Sequence, residues 1–247
     1  RQRQMCIRDR SAAPYVHLHH GRTFVISFAG EVVADKTLLN HLVMDVSLIA
    51  SMGMRVVLVH GSRPQIEELM GLRKLEGQFY KGVRITGPQE LECVKEACGE
   101  TRFDIEAAFS QGLPNTPMQH SRIKVVSGNF VTARPMGIID GVDYLHTGVV
   151  RKVDAESIQD LLSRGNIVLV SPTGFSPTGE AFNLTTEDVA TAIAVAIRAD
   201  KLILSVGVDG VRVRGEKQQD LTAQQAQALI QGKQVDDEDV YLSLIHI

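Results

Sequence analysis

Apolar residues fall in short unbroken runs, separated by longer stretches of helical spacing. Thr23 to Ala29 is one such run and ends at Gly30. Arg55 to His60 is a second, closed by Gly61; Ile167 to Ser171 is a third, and Leu202 to Val206 a fourth. Runs of this length without polar alternation predict strands buried on both faces. Between the first two, Leu38, Leu39, Leu42, Val43, Val46, Ile49 and Ala50 recur at helical spacing, and Gly53 predicts the stop of that helix. Pro64 suits the first turn of a following helix through Ile66 and Leu69.

From Gly87-Pro88 to about Gly112 a long helical pattern appears. Ile123 to Val126 and Phe130 to Ala133 look strand-like around Ser127-Gly128-Asn129, which predicts a hairpin. Ile139 to Lys152, with Asp140-Gly141 and Thr147-Gly148, reads as further antiparallel strand. Asp154 is placed to N-cap a helix reaching about Arg164. Pro172 to Gly179 is rich in Gly, Pro, Ser and Thr and predicts a loop. Thr185 or Thr186 starts the next helix, with Val189, Ala190, Ile193, Ala194 and Ile197 on one face. A last helix is expected over Thr222 to Ile230, near Gly232. Strands alternating with helices imply an α/β fold, with a mainly parallel sheet sandwiched by helices and some antiparallel hairpins. Ligands of such sheets sit at the carboxyl ends of the strands. Gly30, Gly61 and the loops after Ser171 and Val206 are therefore the places to search.

Composition narrows the classes. The 247 residues are 44% hydrophobic, enough to bury a large core, and the net charge is −3 with both signs interspersed. No basic stripe marks a nucleic-acid partner. The apolar runs are too short to span a bilayer. Three cysteines, Cys6, Cys93 and Cys98, make no disulfide framework and fit a reducing, cytoplasmic compartment. Cys93 and Cys98 read as ordinary helix cysteines, because no partner ligands lie nearby and their spacing does not put them on one face. His17 and His20 likewise read as a partly exposed helix face, with no metal site expected.

Four positions carry candidate chemistry. Phe28-Ala29-Gly30-Glu31 and His60-Gly61-Ser62-Arg63 follow consecutive strands. Glycine lets backbone N–H groups approach an anion, so the pair fits a phosphate or carboxylate cradle, or else two plain tight turns. Arg84, in the loop-like Gly82-Val83-Arg84-Ile85-Thr86, suits a bidentate pair with a ligand carboxylate, or is a solvated loop arginine. Asn183, before Thr185-Thr186-Glu187-Asp188, is placed to hold a ligand amide or carboxylate, whereas Thr186 reads as a helix cap. There is no Ser–His–Asp triad, no P-loop and no dinucleotide fingerprint.

At these residues the chain resembles the amino-acid kinase family, with its carbamate kinase-like fold, and within it the N-acetylglutamate kinase and synthase branch. Ala29-Gly30, His60-Gly61, Gly82 to Thr86, and Asn183 to Glu187 stand where that branch has its ligand pocket. The likeness is closer to the bacterial synthases. It is carried by Ser11 to His17, Gly21 to Ile26, Arg63-Pro64-Gln65-Ile66, Val125 to Phe130, Asp140 to Tyr144 and Glu180 to Thr185. It covers roughly Ser11 to Val240. Kinases of the family carry a lysine two residues before the first glycine pair, where this chain has Ser27. Their S-D-V-x-G nucleotide loop is here Ser205-Val206-Gly207-Val208-Asp209-Gly210, with the aspartate displaced. Their later lysine falls past residue 240.

The resemblance implies a kinase-like domain with no catalytic residue of its own, in which Gly30, Gly61, Arg84 and Asn183 form a residual ligand pocket. It implies L-arginine as allosteric effector, with Tyr15 in the arginine site, and L-glutamate or N-acetylglutamate as small-molecule partner. Hexamer-like self-assembly is implied as well. Acetyl-CoA belongs to a separate acetyltransferase domain, and no cofactor is expected in this part. An active N-acetylglutamate kinase and a non-catalytic arginine-binding or scaffolding module are the alternatives. RQRQMCIRDR and YLSLIHI do not continue the neighbouring pattern and read as adapter-derived sequence. The expected organisation is therefore residues 1–10 non-native, 11–240 a kinase-like domain incomplete at its C-terminal side, and 241–247 non-native.

Overall fold

The computed structural model describes residues 18–111, 123–205, 212–213 and 216–217. Five parallel strands form the central sheet: β1 (Thr23–Phe28), β2 (Arg55–His60), β5 (Val125–Ser127), β10 (Ile167–Val170) and β13 (Lys201–Ser205), in the order β13-β1-β2-β10-β5. The four apolar runs thus pair side by side, but only the inner strands β1, β2 and β10 are buried on both faces; β13, at the sheet edge, leaves Ile203 41% exposed, which corrects the expectation for that run. Each strand divides its residues between two cores. Val25, Val57, Val59, Val168 and Val170 face α5 (Ala155–Ser163) and α6 (Thr186–Ala196), meeting Ile158, Leu162, Val189 and Ile193. Phe24, Ile26, Phe28, Val56, Leu58 and Leu169 face the other way. They meet Val33 of α1 (Gly30–Ala34), Leu39, Val43 and Val46 of α2 (Lys36–Ser51), and Ile105 and Phe109 of α4 (Pro88–Ser110).

Local chemistry ends the helices, at Gly53 and Asp154 as the sequence predicts and at Asp35 as the structure adds. The Asp35 carboxylate caps α2, accepting from Thr37 N at 2.7 Å and Leu38 N at 3.2 Å. Gly53 closes α2 with φ 84°, and His20 Nδ1 lies 3.1 Å from the Met52 carbonyl at the same end. His20 is thus a helix-end partner. Asp35→Ala is expected to cost about 1 kcal/mol, read as a fall in the urea midpoint with unchanged slope. Asp154 caps α5, accepting from Ser157 N.

Three readings of turns and loops also need correcting. Residues around Ser127-Gly128-Asn129 form no hairpin. β5 pairs in parallel with β10, while β6 (Val131–Pro135) joins a second sheet, β12-β11-β6-β9, with β9 (Gly148–Val153), β11 (Thr173–Phe175) and β12 (Ala181–Asn183). The turn carries the chain from one sheet to another, with the Phe130 ring folded over Gly128, 2.8 Å from where a Cβ would stand. Pro172 to Gly179 is not all loop, because β11 pairs antiparallel with β12. Gly174 permits this: a Cβ there would lie 2.8 Å from Ala133 Cβ. Lastly, Gly82 to Thr86 is not a loop. Val83–Ile85 is strand β4, paired with β3 (Gln78–Tyr80) across Lys81-Gly82.

A smaller hairpin, β7 (Ile138–Ile139) with β8 (Val142–Asp143), turns at Asp140-Gly141. Lys81 Nζ reaches Asp140 Oδ2 at 2.5 Å, so the two hairpin tips are tied together. The remaining pair, β14 (Arg212–Val213) and β15 (Glu216–Lys217), is also antiparallel. The expected Thr222 to Ile230 helix and the loop beyond Ser205 lie outside the described residues. Cys93 and Cys98 are both buried where α4 meets α3 (Arg63–Leu72), beside Ile66 and Met70, despite their spacing. Among the described residues no helix is long and apolar enough to cross a membrane, and no group of three His, Cys, Asp or Glu side chains is arranged to hold a metal.

Candidate functional site

The ends of β1 and β2 lie side by side, with Phe28 opposite His60. Gly61 N donates to the Phe28 carbonyl at 2.7 Å, which draws the two glycine turns into direct contact. A Cβ on Gly61 would stand 3.0 Å from Gly30 N and 3.3 Å from Ala29 Cα. A Cβ on Gly30 would meet Gln65 Oε1 at 2.6 Å, Pro64 Cδ at 2.8 Å and Ser62 Cα at 3.1 Å. Gln65 Nε2 donates to the Gly30 carbonyl at 2.9 Å. The first turn of α3 therefore sits on the first glycine turn, and Gln65 Oε1 is buried there without a hydrogen-bond partner. Ser27, two residues before this pair's alanine, is a buried neutral hydroxyl.

His60 ties the neighbouring strand ends together. It is fully buried, with Nε2 2.8 Å from Ser171 Oγ and Nδ1 3.2 Å from both the Gly61 carbonyl and Ser62 Oγ. Burial pushes its pKa down to about 4, the Gly61 carbonyl partly offsets this, and the charge of Arg102 adds to the lowering. At neutral pH the imidazole is uncharged. The Cys98 thiol, hydrogen-bonded to Ser62, is pushed up by burial to about 11, which keeps it a neutral thiol at pH 7.

Arg84 is held by the β3–β4 hairpin over α3. Its side chain is 9% exposed, its guanidinium carbon lies 4.6 Å from the centre of the Phe79 ring, and Nη2 reaches Glu67 Oε1 at 3.3 Å. Burial lowers its pKa. It is no solvated loop arginine. Gly77 makes room for it, since a Cβ there would lie 2.8 Å from Nη1.

Asn183 ends β12 just before α6. Its Nδ2 donates to Thr86 Oγ1 at 3.0 Å. Thr86 and Thr147 are both buried and their hydroxyls are 2.9 Å apart. Thr147 Oγ1 donates to the Arg84 carbonyl at 2.6 Å and accepts from Thr86 N at 3.1 Å. Arg84 and Asn183 are thus joined through two threonines. Thr185, not Thr186, occupies the cap position of α6, and its hydroxyl bonds Asp188. Burial pushes the Glu187 carboxyl up.

The four sequence-chosen residues form two pairs, Gly30 with Gly61 and Arg84 with Asn183. α3 runs between the pairs, with Gln65 on Gly30 and Glu67 on Arg84. Tyr15 lies outside the described residues. The sequence reading missed Gln65, Glu67, Thr147 and the bridging role of His60. Gln65 stood in the Arg63-Pro64-Gln65-Ile66 stretch that helps carry the likeness, without a role of its own, and Glu67 carried a faint signal as an acid four residues after Arg63, to which it pairs at 2.9 Å. Chemically the arrangement offers one buried guanidinium, amide and hydroxyl donors, and a neutral imidazole. Groups of these kinds are chemically suited to binding and orienting an anion.

Comparison with known proteins gives a consistent picture. Residues 22–241 match the amino acid kinase family. The amino-acid acetyltransferase of Ralstonia nicotianae is 56% identical over 238 residues, covering 96% of this chain and 52% of that protein. That of Ectopseudomonas mendocina is 50% identical over 202 residues, covering 82% and 46%. The chain spans about half the length of the curated relatives it matches. N-acetylglutamate synthase from Neisseria gonorrhoeae, complexed with coenzyme A and L-arginine, superposes with a TM-score of 0.85 at 32% identity, over 96% of this chain and 55% of that one. The same synthase with coenzyme A and N-acetyl-glutamate gives 0.83 at 33%, over 95% and 53%. Carbamate kinase from Giardia lamblia bound to AMP-PNP gives 0.65 at 13%, over 91% and 87%, a likeness of fold alone.

Proposed function

We propose that this chain, which belongs to the amino acid kinase family, is the kinase-like part of an amino-acid acetyltransferase and serves that enzyme by regulation and assembly. The enzyme transfers the acetyl group of acetyl-CoA to the amino group of L-glutamate. It releases coenzyme A, a proton and N-acetyl-L-glutamate, the first intermediate of arginine biosynthesis. The observation that carries the reading is the 56% identity to the Ralstonia acetyltransferase across nearly the whole chain. Acetyl transfer belongs to a separate domain of the parent protein, and acetyl-CoA binds there. L-Arginine is the effector of the kinase-like part, with Tyr15 in its site, and copies of the chain associate in the cytoplasm. Residues 11–240 form this part, and residues 1–10 and 241–247 are not native to it.

The site favours holding a ligand over moving a phosphate. Phosphoryl transfer needs cations aimed at the developing charge, each supplying several kcal/mol, on the order of 3. The strand end that a family kinase arms with lysine ends here in buried, neutral Ser27. The space over Gly30 is taken by Gln65 and Pro64. In the pocket formed by Gly30, Gly61, Arg84 and Asn183, the guanidinium of Arg84 holds a carboxylate, and Asn183 orients the amide of a glutamate-like ligand. The retained Arg84 and Asn183 also favour a second reading, an ATP-dependent N-acetylglutamate kinase.

Two assays on the purified chain separate these readings. Thiol release from acetyl-CoA with L-glutamate is expected to stay at background, as is ADP release from ATP with N-acetylglutamate. L-Arginine is expected to give a saturable heat in calorimetry. ADP release that depends on N-acetylglutamate would establish the kinase. Acetyl transfer above background would overturn the division of labour, and no heat at millimolar arginine would remove the sensory role.

A further inference from the structure

A buried guanidinium needs both a counter-charge and acceptors for its five N–H groups. Arg84 has poor ones. Its Nη1 points at the Met70 sulfur, 3.1 Å away, and a thioether is a weak acceptor. Its Nη2 reaches Glu67 Oε1 at 3.3 Å, longer than a charge-assisted bond prefers, and through one oxygen only. That same oxygen lies 2.9 Å from Arg63 Nε, so one carboxylate oxygen is shared by two guanidinium groups and bonds the exposed one better. Phe79 is flanked by both, with its ring centre 4.6 Å from Arg84 Cζ and 5.7 Å from Arg63 Cζ. The Arg84 side chain is 9% exposed, whereas those of Glu67 and Arg63 are 50% and 72% exposed. The base is largely covered, while the acid paired with it is half exposed on α3. Glu90 adds to the negative field at Arg84 from the start of α4.

We infer that Glu67 is a detachable internal competitor for the anion position at Arg84, so that a ligand carboxylate enters by displacing the Glu67 side chain into solvent with Arg63. The inference rests on the reading of Arg84 as part of a carboxylate pocket. The incoming group is a small planar carboxylate, because only the two-oxygen fork matches the guanidinium edge that Glu67 meets with one oxygen. Glu67 loses little on release, since it regains water and keeps Arg63. Arg84 has no such alternative, which makes the exchange one-sided.

The test is calorimetric titration of the whole chain with N-acetyl-L-glutamate as probe, at fixed ionic strength. Glu67→Gln keeps the size and helix preference of the residue and removes its charge. It is expected to tighten binding by about tenfold, the scale of one charge-assisted contact no longer displaced. Glu68→Gln makes the same charge change on an exposed neighbour and is expected to leave affinity unchanged. Arg84→Gln is expected to abolish the heat. Equal affinity in wild type and Glu67→Gln would overturn the competitor role while leaving the pocket standing. An equal gain in Glu68→Gln would assign the effect to net charge and overturn it too. No heat from wild type and Glu67→Gln alike would overturn the pocket reading and this inference together.

Discussion

Gly61→Ala is expected to destabilise the chain by about 2 kcal/mol or more, as a small-to-large change against atoms that cannot move cheaply. The methyl group would stand 3.0 Å from Gly30 N and 3.3 and 3.4 Å from Ala29 Cα and C, all backbone atoms. Those atoms are held by the Gly61 N to Phe28 carbonyl bond and by the burial of β1 and β2 on both faces. Relief requires parting the two strand ends, and that disturbs the His60 contacts one residue away. Gly71→Ala, in α3 with nothing within 4 Å of the new methyl, is the matched comparison. It is expected to stabilise by about 0.5–1 kcal/mol through helix propensity. Urea midpoints of both variants at pH 7 read the difference. An unchanged midpoint for Gly61→Ala would mean that the turns do not meet as described. The result also bears on why glycine is there: close approach of two turns is reason enough.

Lowering the pH from 7 to 4 is expected to remove stability through His60, on the order of 3 kcal/mol. The ordinary pKa of 6.5 applies to the unfolded chain, and burial holds the folded value at about 4. Between these values the unfolded state binds a proton that the folded state refuses. The contribution is therefore fully present above pH 6.5, declines as pH falls through the window, and is exhausted below about 4. Chemical denaturation at several pH values checks this, with His60→Gln as comparison. That variant is expected to be less stable at pH 7, because it perturbs the bond to Ser171. It is also expected to lose less between pH 7 and 4, because the titrating group is gone. Parallel losses in the two proteins would assign the acid sensitivity to other groups.

Much of the fold was legible because the signals are local. Four unbroken apolar runs predicted the strands β1, β2, β10 and β13, of which β13, at the sheet edge, keeps Ile203 41% exposed instead of buried, and Gly53, Pro64 and Asp154 marked helix ends by chemistry that acts within a turn. The predicted hairpin at Ser127-Gly128-Asn129 failed for the opposite reason. A turn dipeptide says that the chain bends, not which strand it meets afterwards. β5 found β10 some forty residues ahead, and β6 found β9 and β11. The Pro172 to Gly179 segment was misread because three-residue strands are too short to show alternation, and Gly174 looked like loop composition although its task is close packing.

The candidate site divides along the same line. The residue types at Gly30, Gly61, Arg84 and Asn183 were visible as motifs, together with the serine where the family's kinases carry lysine. What those residues touch was not. Arg84 depends on Glu67 and Asn183 on Thr86, 17 and 97 residues away. By itself the sequence determined where the strands of the central sheet would lie, that β1, β2 and β10 would be buried on both faces, and where several helices would begin and stop. These follow from hydrophobic periodicity and capping, which act over a few residues. Only the tertiary structure decided that the two glycine turns press on each other, that His60 is buried and neutral, and that Arg84 is covered by an exposed acid. Each of these depends on solvent exclusion and on distances between segments remote in the chain, which no local pattern encodes.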